Sequence, residues 1–150
     1  MASNRHLGRI IALQTLYERD FRADCGDKSL KLSEILDRNI NRYSSTVDDV
    51  DFVRVLVNGV EEQGQYIDSL LQPIAPDWPL DQIARVDRII LRLGAYELLF
   101  QEDAVPSRVS INEAVELAKS FGGENSSKFI NGVLGTLIKQ KEADTLPKNK

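Results

Sequence analysis

One histidine, His6, and one cysteine, Cys25, are all that the 150 residues hold of the side chains most used as metal ligands, redox centres and neutral-pH acid–base groups. A lone cysteine excludes an internal disulfide and any multi-cysteine metal site. A lone histidine near the N-terminus leaves little from which to build a Ser-His-Asp arrangement or a zinc site. No H-E-x-x-H, C-x-x-C, G-x-x-x-x-G-K-[ST] or G-x-G-x-x-G occurs, so metalloprotease, dithiol and nucleotide-cradle chemistry lack their motifs. Asp48, Asp49 and Asp51 lack the spacing of a calcium loop and are expected to cap a helix instead. No apolar run approaches the roughly 18 residues of a membrane span, and MASNRHLGR has no apolar signal segment. These absences predict a cytoplasmic protein with no catalytic residues, no metal, no cofactor and no membrane partner.

What is present is ordinary for a globular chain: 42% hydrophobic and 28% charged residues. A chain of this length folding as one domain, or two small subdomains, can bury roughly 70% of its unfolded surface. The net charge of −4 is unevenly spread. Residues 1–22 carry Arg5, Arg9, Arg19 and Arg22 against Glu18 and Asp20, a balance of +2. Residues 139–150 carry Lys139, Lys141, Lys148 and Lys150 against Glu142 and Asp144, again +2, which leaves −8 in between. Basic ends on an acidic body point to two kinds of partner, one polyanionic and one basic, although solvated basic tails would look the same.

The apolar residues recur at a helical period almost throughout. Asn4 can cap a first helix to about Arg22, with Leu7, Ile10, Leu13, Tyr17 and Phe21 on one side and Arg5, Arg9 and Arg19 on the other. Cations at a helix N-terminus oppose the macrodipole by some tenths of a kcal/mol, so Arg5 and Arg9 are better placed to meet an anion than to stabilise the helix. Leu32, Ile35, Leu36, Ile40 and Tyr43 mark a second helix, and Phe52, Val53, Leu56, Val57 and Val60 a third. Gly64 is expected to end that third helix before a short fourth carrying Tyr66, Ile67, Leu70 and Leu71. Pro73, Pro76 and Pro79, with Trp78 between the last two, are too dense for any helix interior. We read residues 73–80 as a joint between an N-terminal helical subdomain, 1–72, and a C-terminal one, 81–140, with a flexible basic tail at 141–150. A long helix from Asp81, stabilised by an Asp81–Arg85 pair, is expected to bend at Gly94.

The stretch SINEAVELAKSFGGENSSKFINGVLG, residues 110–135, reads as two helices around a glycine-rich break. Ile111, Ala114, Val115, Ala118 and Phe121 form one apolar stripe, and Ser110 with Glu113 has capping-box spacing. Gly122 and Gly123 suit a left-handed helix end. Asn125 or Ser126 can cap the next helix, in which Gly132 and Gly135 suggest close approach of a neighbour.

Three blocks of residues resemble the NusB transcription antitermination factors: RxxxR…ALQxLY near the start, WxLDxIxxVDRxILRLGAYELL at 78–99, and INEAVELAKxFG…SxKFxNGVL at 111–134. The match is most specific from Trp78 to Leu134. With no methyltransferase segment after Lys150, the chain is similar to the free-standing members. The resemblance implies an all-α fold of about seven helices in two packed helical subdomains, with a binding rather than catalytic role. It implies pairing with the small-subunit ribosomal protein that serves as NusE, binding of single-stranded boxA RNA, and support of ribosomal-RNA transcription by the elongation complex. It also leaves room for a homodimer.

Carried over residue by residue, the RNA-binding set is Arg5, His6, Arg9 and Tyr17 on the first helix and Asn125, Lys128 and Phe129 after the glycine break, to which Lys119 is added because it flanks the same polar loop. Leu7 and Gly8 stand where many relatives carry basic or small residues, and His6 where arginine is common. If Arg5, Arg9, Lys119 and Lys128 each met a phosphate, the salt slope on a single strand would be only about −3. Stacking on Tyr17 or Phe129 adds about 1–3 kcal/mol per base. Glu61, Glu62, Asp77, Asp81 and Asp87 are the candidate contacts for a basic partner, and a solvated acidic face is the competing reading. A helical adaptor that binds protein but not RNA is the alternative function.

Overall fold

The 3.6-residue apolar period becomes six α-helices in a computed structural model that describes residues 5–43, 45–75 and 82–149. They are α1 (Arg5–Asp24), α2 (Leu32–Arg42), α3 (Val50–Leu71), α4 (Arg85–Phe100), α5 (Ser107–Phe121) and α6 (Ser126–Glu142). No strand occurs among the described residues. The fold is all-α, as expected, with one helix fewer because α3 runs unbroken through Gly64. A helix-interior glycine costs about 1 kcal/mol relative to alanine, less than proline, and the stripe through Leu56, Val60, Ile67 and Leu70 keeps its phase across it. Asp49 starts α3: its Oδ1 accepts the Phe52 amide hydrogen at 3.0 Å, so the acidic cluster caps a helix as anticipated.

The chain divides into two compact units at Gly59 and Val60, inside α3, whereas the sequence placed the boundary at residues 73–80. A continuous 22-residue helix can serve two cores in succession, which no local composition signal reveals. Residues 76–81, with Asp77, Trp78 and Asp81, lie outside the described residues, as do Asn4 and Ser44.

In the first unit α1 packs on α2, and Ile11, Ala12, Leu13, Ile35, Leu36, Val53, Leu56 and Val57 are buried. Gly8 lets α1 meet the start of α3: a Cβ there would lie 3.1 Å from Val53 Cγ2. A buried polar link ties α1 to α2, with Asn39 Nδ2 donating to Thr15 Oγ1 at 3.0 Å and that hydroxyl donating to the Ile11 carbonyl at 2.8 Å.

In the second unit α4, α5 and α6 pack on one another. Ile89, Ile90, Leu91, Leu93, Ala95, Tyr96 and Leu98 are buried along α4, and Arg85, Arg88 and Arg92 lie on its half-buried side. The helix begins at Arg85 and runs unbroken through Gly94. There the missing Cβ matters for packing: it would lie 2.6 Å from Leu134 Cδ1 and 3.3 Å from Ala114 Cβ. The close approach sits at Gly94, therefore, and not at Gly132 or Gly135, beside which a Cβ would meet nothing within 4 Å. Helix α5 starts a turn earlier than the capping-box spacing suggested, behind Pro106; Ser110 is buried and donates its hydroxyl to Glu97 Oε1 at 3.1 Å. Arg92 clamps Asp68 with two 2.8 Å hydrogen bonds.

The tail is tied down where a flexible segment was expected. Its chain reverses at Asp144, φ 56°, where the Thr145 amide bonds to the Gln140 carbonyl at 3.0 Å. Tyr66 then donates its hydroxyl to the Pro147 carbonyl at 2.8 Å, and Asn149 its amide to Gln63 Oε1 at 2.7 Å.

Candidate nucleic-acid interface

The sequence-derived RNA residues fall into one group in each unit. In the first unit, α1 opens with no acid in its first turn, so Arg5 and Arg9 face the helix dipole uncompensated from within α1. The start of α3 supplies what is missing. Arg5 Nη2 lies 3.6 Å from Asp49 Oδ2, and both arginines sit over the Phe52 ring, with guanidinium carbons 4.6 Å (Arg5) and 5.1 Å (Arg9) from its centroid.

The two arginines differ in exposure. Arg5 keeps 31% of its side-chain surface, whereas Arg9 is 3% exposed. A planar guanidinium tolerates this burial because it is more weakly hydrated than an ammonium and lies well on an aromatic face. Arg5 is therefore the one presented outward, and Arg9 holds the Phe52 platform from within. His6 is half-buried beside them.

Tyr17 is 38% exposed and Phe21, one turn on, 49% exposed. Phe21 shares the apolar side with Leu13 in the sequence pattern; the burial of Ile11, Ala12, Thr15 and Leu16 instead defines an arc that Phe21 lies outside. A wheel drawn through those four positions would have signalled this from sequence.

The second group surrounds the break between α5 and α6. Gly122 takes an extended conformation (φ −92°, ψ −175°) rather than the left-handed one anticipated. Glycine is required there for space, since a Cβ would lie 2.7 Å from Ser126 Cβ and 2.8 Å from the Ala118 carbonyl oxygen. Ser126 pins the loop: its Oγ accepts the Gly123 amide hydrogen at 2.8 Å and donates to Asp87 Oδ2 at 3.0 Å. The other Asp87 oxygen is buried without a hydrogen-bond partner among the described residues. Asp87, a candidate partner contact by sequence, is thus tied to the α6 start.

With Ser126 in that role, Asn125 stands at the helix N-cap without a side-chain cap bond. Asn125, Lys119 and Lys128 are exposed, Phe129 is half-buried, and Lys119 pairs loosely with Glu116 at 3.6 Å. Phe121, the last member of the apolar stripe, is also exposed here, at 44%. Its position as the last residue of α5, beside two glycines, was the available signal. Polar amide, ammonium and aromatic groups on one loop suit contacts to phosphate and to base faces.

Of the acidic candidates, Glu61 and Glu62 are exposed on α3, and Asp77 and Asp81 fall outside the described residues. No group of three or more His, Cys, Asp or Glu side chains suited to a metal ion occurs among the described residues. No helix among them is long and apolar enough to cross a membrane.

A family model described as NusB family matches residues 6–139. The transcription antitermination protein NusB of Chloroflexus aggregans is 41% identical over 139 residues, covering 92% of this chain and 89% of its own. That of Geobacter sulfurreducens is 43% identical over 143 residues, covering 95% and 96%. T. maritima NusB superposes with a TM-score of 0.81 at 34% identity, covering 97% of this chain and 100% of its own. A crystal structure of antitermination factors NusB and NusE in complex with dsRNA holds a chain that matches with a TM-score of 0.78 at 27% identity, covering 93% of this chain and 98% of that one. With sequence agreement and helix arrangement coinciding over nearly the whole length, this chain belongs to the NusB family.

Proposed function

We propose that this chain is an RNA-binding transcription antitermination factor that acts together with a NusE-type ribosomal protein. The observation that carries the reading is the match, over 93% of the chain, to a chain of the solved complex of NusB and NusE with dsRNA. On this reading the RNA is the single-stranded boxA element, the setting is the elongation complex on ribosomal-RNA genes in the cytoplasm, and no catalytic step is involved. Arg5 and His6 contact the strand from α1, with Arg9 positioning Phe52 beneath Arg5. Lys119, Asn125 and Lys128 contact it from the α5–α6 loop, and Tyr17, Phe121 and Phe129 offer ring faces. Glu61 and Glu62 face the basic partner, which brings cations that an acidic chain of net charge −4 lacks.

The test is a gel-shift titration of a boxA-like RNA with and without the ribosomal protein. Binding should be salt-sensitive, strengthened by the partner, and weakened by Arg5→Glu or Lys128→Glu. No RNA binding with the partner present refutes the proposal. Partner binding that persists without any RNA contribution from either variant site would favour a protein-only adaptor.

A further inference from the structure

A second basic feature lies at the opposite end of α1 from Arg5, in the same unit. The turn from α1 to α2 closes a cleft of about 360 Å³ lined by Arg19, Arg22, Ala23, Asp27, Lys28, Leu30, Lys31 and Leu32. Its wall therefore carries four cations and one carboxylate.

That carboxylate is already fully engaged. Asp27 Oδ2 accepts from Arg22 Nη1 at 2.6 Å, while Oδ1 accepts the Ser29 amide hydrogen at 2.9 Å and the Ser29 hydroxyl at 2.6 Å. These donors, Ser29 foremost, hold the Asp27 carboxyl below its ordinary value. Nearby acids are likewise occupied. Glu18 pairs with Arg22 and Arg38, Glu34 accepts the Lys31 amide hydrogen at 2.9 Å, and Asp20 and Asp24 each have a partner of their own.

The turn is also preformed. Gly26 takes φ +74°, which a side chain would oppose, and the Asp27 amide bonds back to the Arg22 carbonyl at 2.8 Å. Arg22 is thereby fixed from two sides, and Lys28 and Lys31 are carried at the rim with both side chains exposed.

We propose that this cleft binds a phosphate group, with Lys28 and Lys31 as its contacts and with Arg22 already paired to Glu18 and Asp27, so that neither carboxylate is left to repel the ligand. Lysine ammoniums on a rigid turn act as point charges for a phosphate, and a cleft of this volume suits a compact anion better than an extended acidic peptide. Arg5 and Arg19 are fourteen residues apart on one helix, about 21 Å at the helical rise. A strand held at Arg5 can thus place a later phosphate here. That source of the ligand rests on the RNA-binding reading above; the site itself does not.

The experiment uses the full chain and the double variant K28Q/K31Q, which leaves Arg22, Asp27 and Ser29 in place. In the first arm, inorganic pyrophosphate is titrated and backbone amide resonances are followed. The expected result is saturable shifts confined to residues 22–32 in the parent and absent from the variant. Shifts that do not saturate, or that spread over every basic surface, overturn the site. In the second arm, RNA affinity is measured against salt. With two fewer phosphates neutralised, the log–log slope should become shallower by about 1.4. An unchanged slope with a positive first arm overturns the RNA link and leaves a site for a free phosphate compound. If the parent binds no RNA at all, the functional proposal fails while the pyrophosphate arm still decides the cleft.

Discussion

Arg5 and Arg9, paired by sequence, are expected to separate under mutation. Arg9 is 3% exposed with its guanidinium 5.1 Å from the Phe52 centroid, so Arg9→Met keeps the apolar stem and removes a desolvated cation–π contact. Such a contact is worth about 1–2 kcal/mol when shielded from water. For a chain of this size that lowers the melting temperature by about 2–8 °C. Arg5 keeps 31% of its side-chain surface and its carboxylate partner Asp49 keeps 43%, so solvent screens that pair. Arg5→Met should then cost stability only about 0–1 kcal/mol. Its effect on RNA is the larger one: with one phosphate fewer neutralised, the salt slope becomes shallower by about 0.7, whereas Arg9→Met leaves the slope unchanged. Circular-dichroism melts and RNA titrations at several salt concentrations read both quantities. An Arg9→Met protein that melts like the parent but flattens the slope as Arg5→Met does would show that Arg9, not Arg5, meets the strand, and the assignment of roles would be reversed.

Three further outcomes are expected. Gly94→Ala forces a methyl group within 2.6 Å of the buried Leu134 Cδ1, an overpacking cost of about 1–3 kcal/mol against a helix-propensity gain of about 1; Gly132→Ala, with nothing within 4 Å, should only gain. Urea melts in which both alanines stabilise equally would contradict the packing described for α4. Ser126→Ala removes the acceptor of the Gly123 amide and the hydroxyl that donates to the Asp87 carboxylate, at a cost of about 1–3 kcal/mol; faster amide exchange at Gly123 should accompany weaker RNA binding, and unchanged exchange would argue against the pin. Hydrogen bonding from Arg38, supported by Arg22, holds the Glu18 carboxyl below its ordinary value of 4.5. A depressed carboxylate contributes its stability above the unfolded value and loses it as pH falls through the folded one, so the advantage of the parent over Glu18→Gln should begin to shrink as pH falls below 4.5 and be gone once pH is below the folded value. A difference that does not change with pH would exclude the pairing.

The helical class, five of the helix positions to within about a turn, and the residues that carry the family resemblance were all legible along the chain. Each depends on local spacing, and a 3.6-residue period or an acid at a helix start is a property of neighbours in sequence. What the tertiary structure alone decided is which side of each element meets another. Gly94 and Gly132 look alike in sequence, yet only the first lies where α4 meets Leu134 of α6 and Ala114 of α5. Arg5 and Arg9 share a helix face, yet Phe52 and Asp49, more than forty residues on, leave one outside and bury the other. Phe21, in the last turn of α1, and Phe121, the last residue of α5, lie beyond the packed arc, and Lys28 and Lys31 gather with Arg19 and Arg22 only because Gly26 turns the chain back. Periodicity tells a residue which neighbours it has along its own helix; burial depends on distant segments whose approach no local pattern encodes.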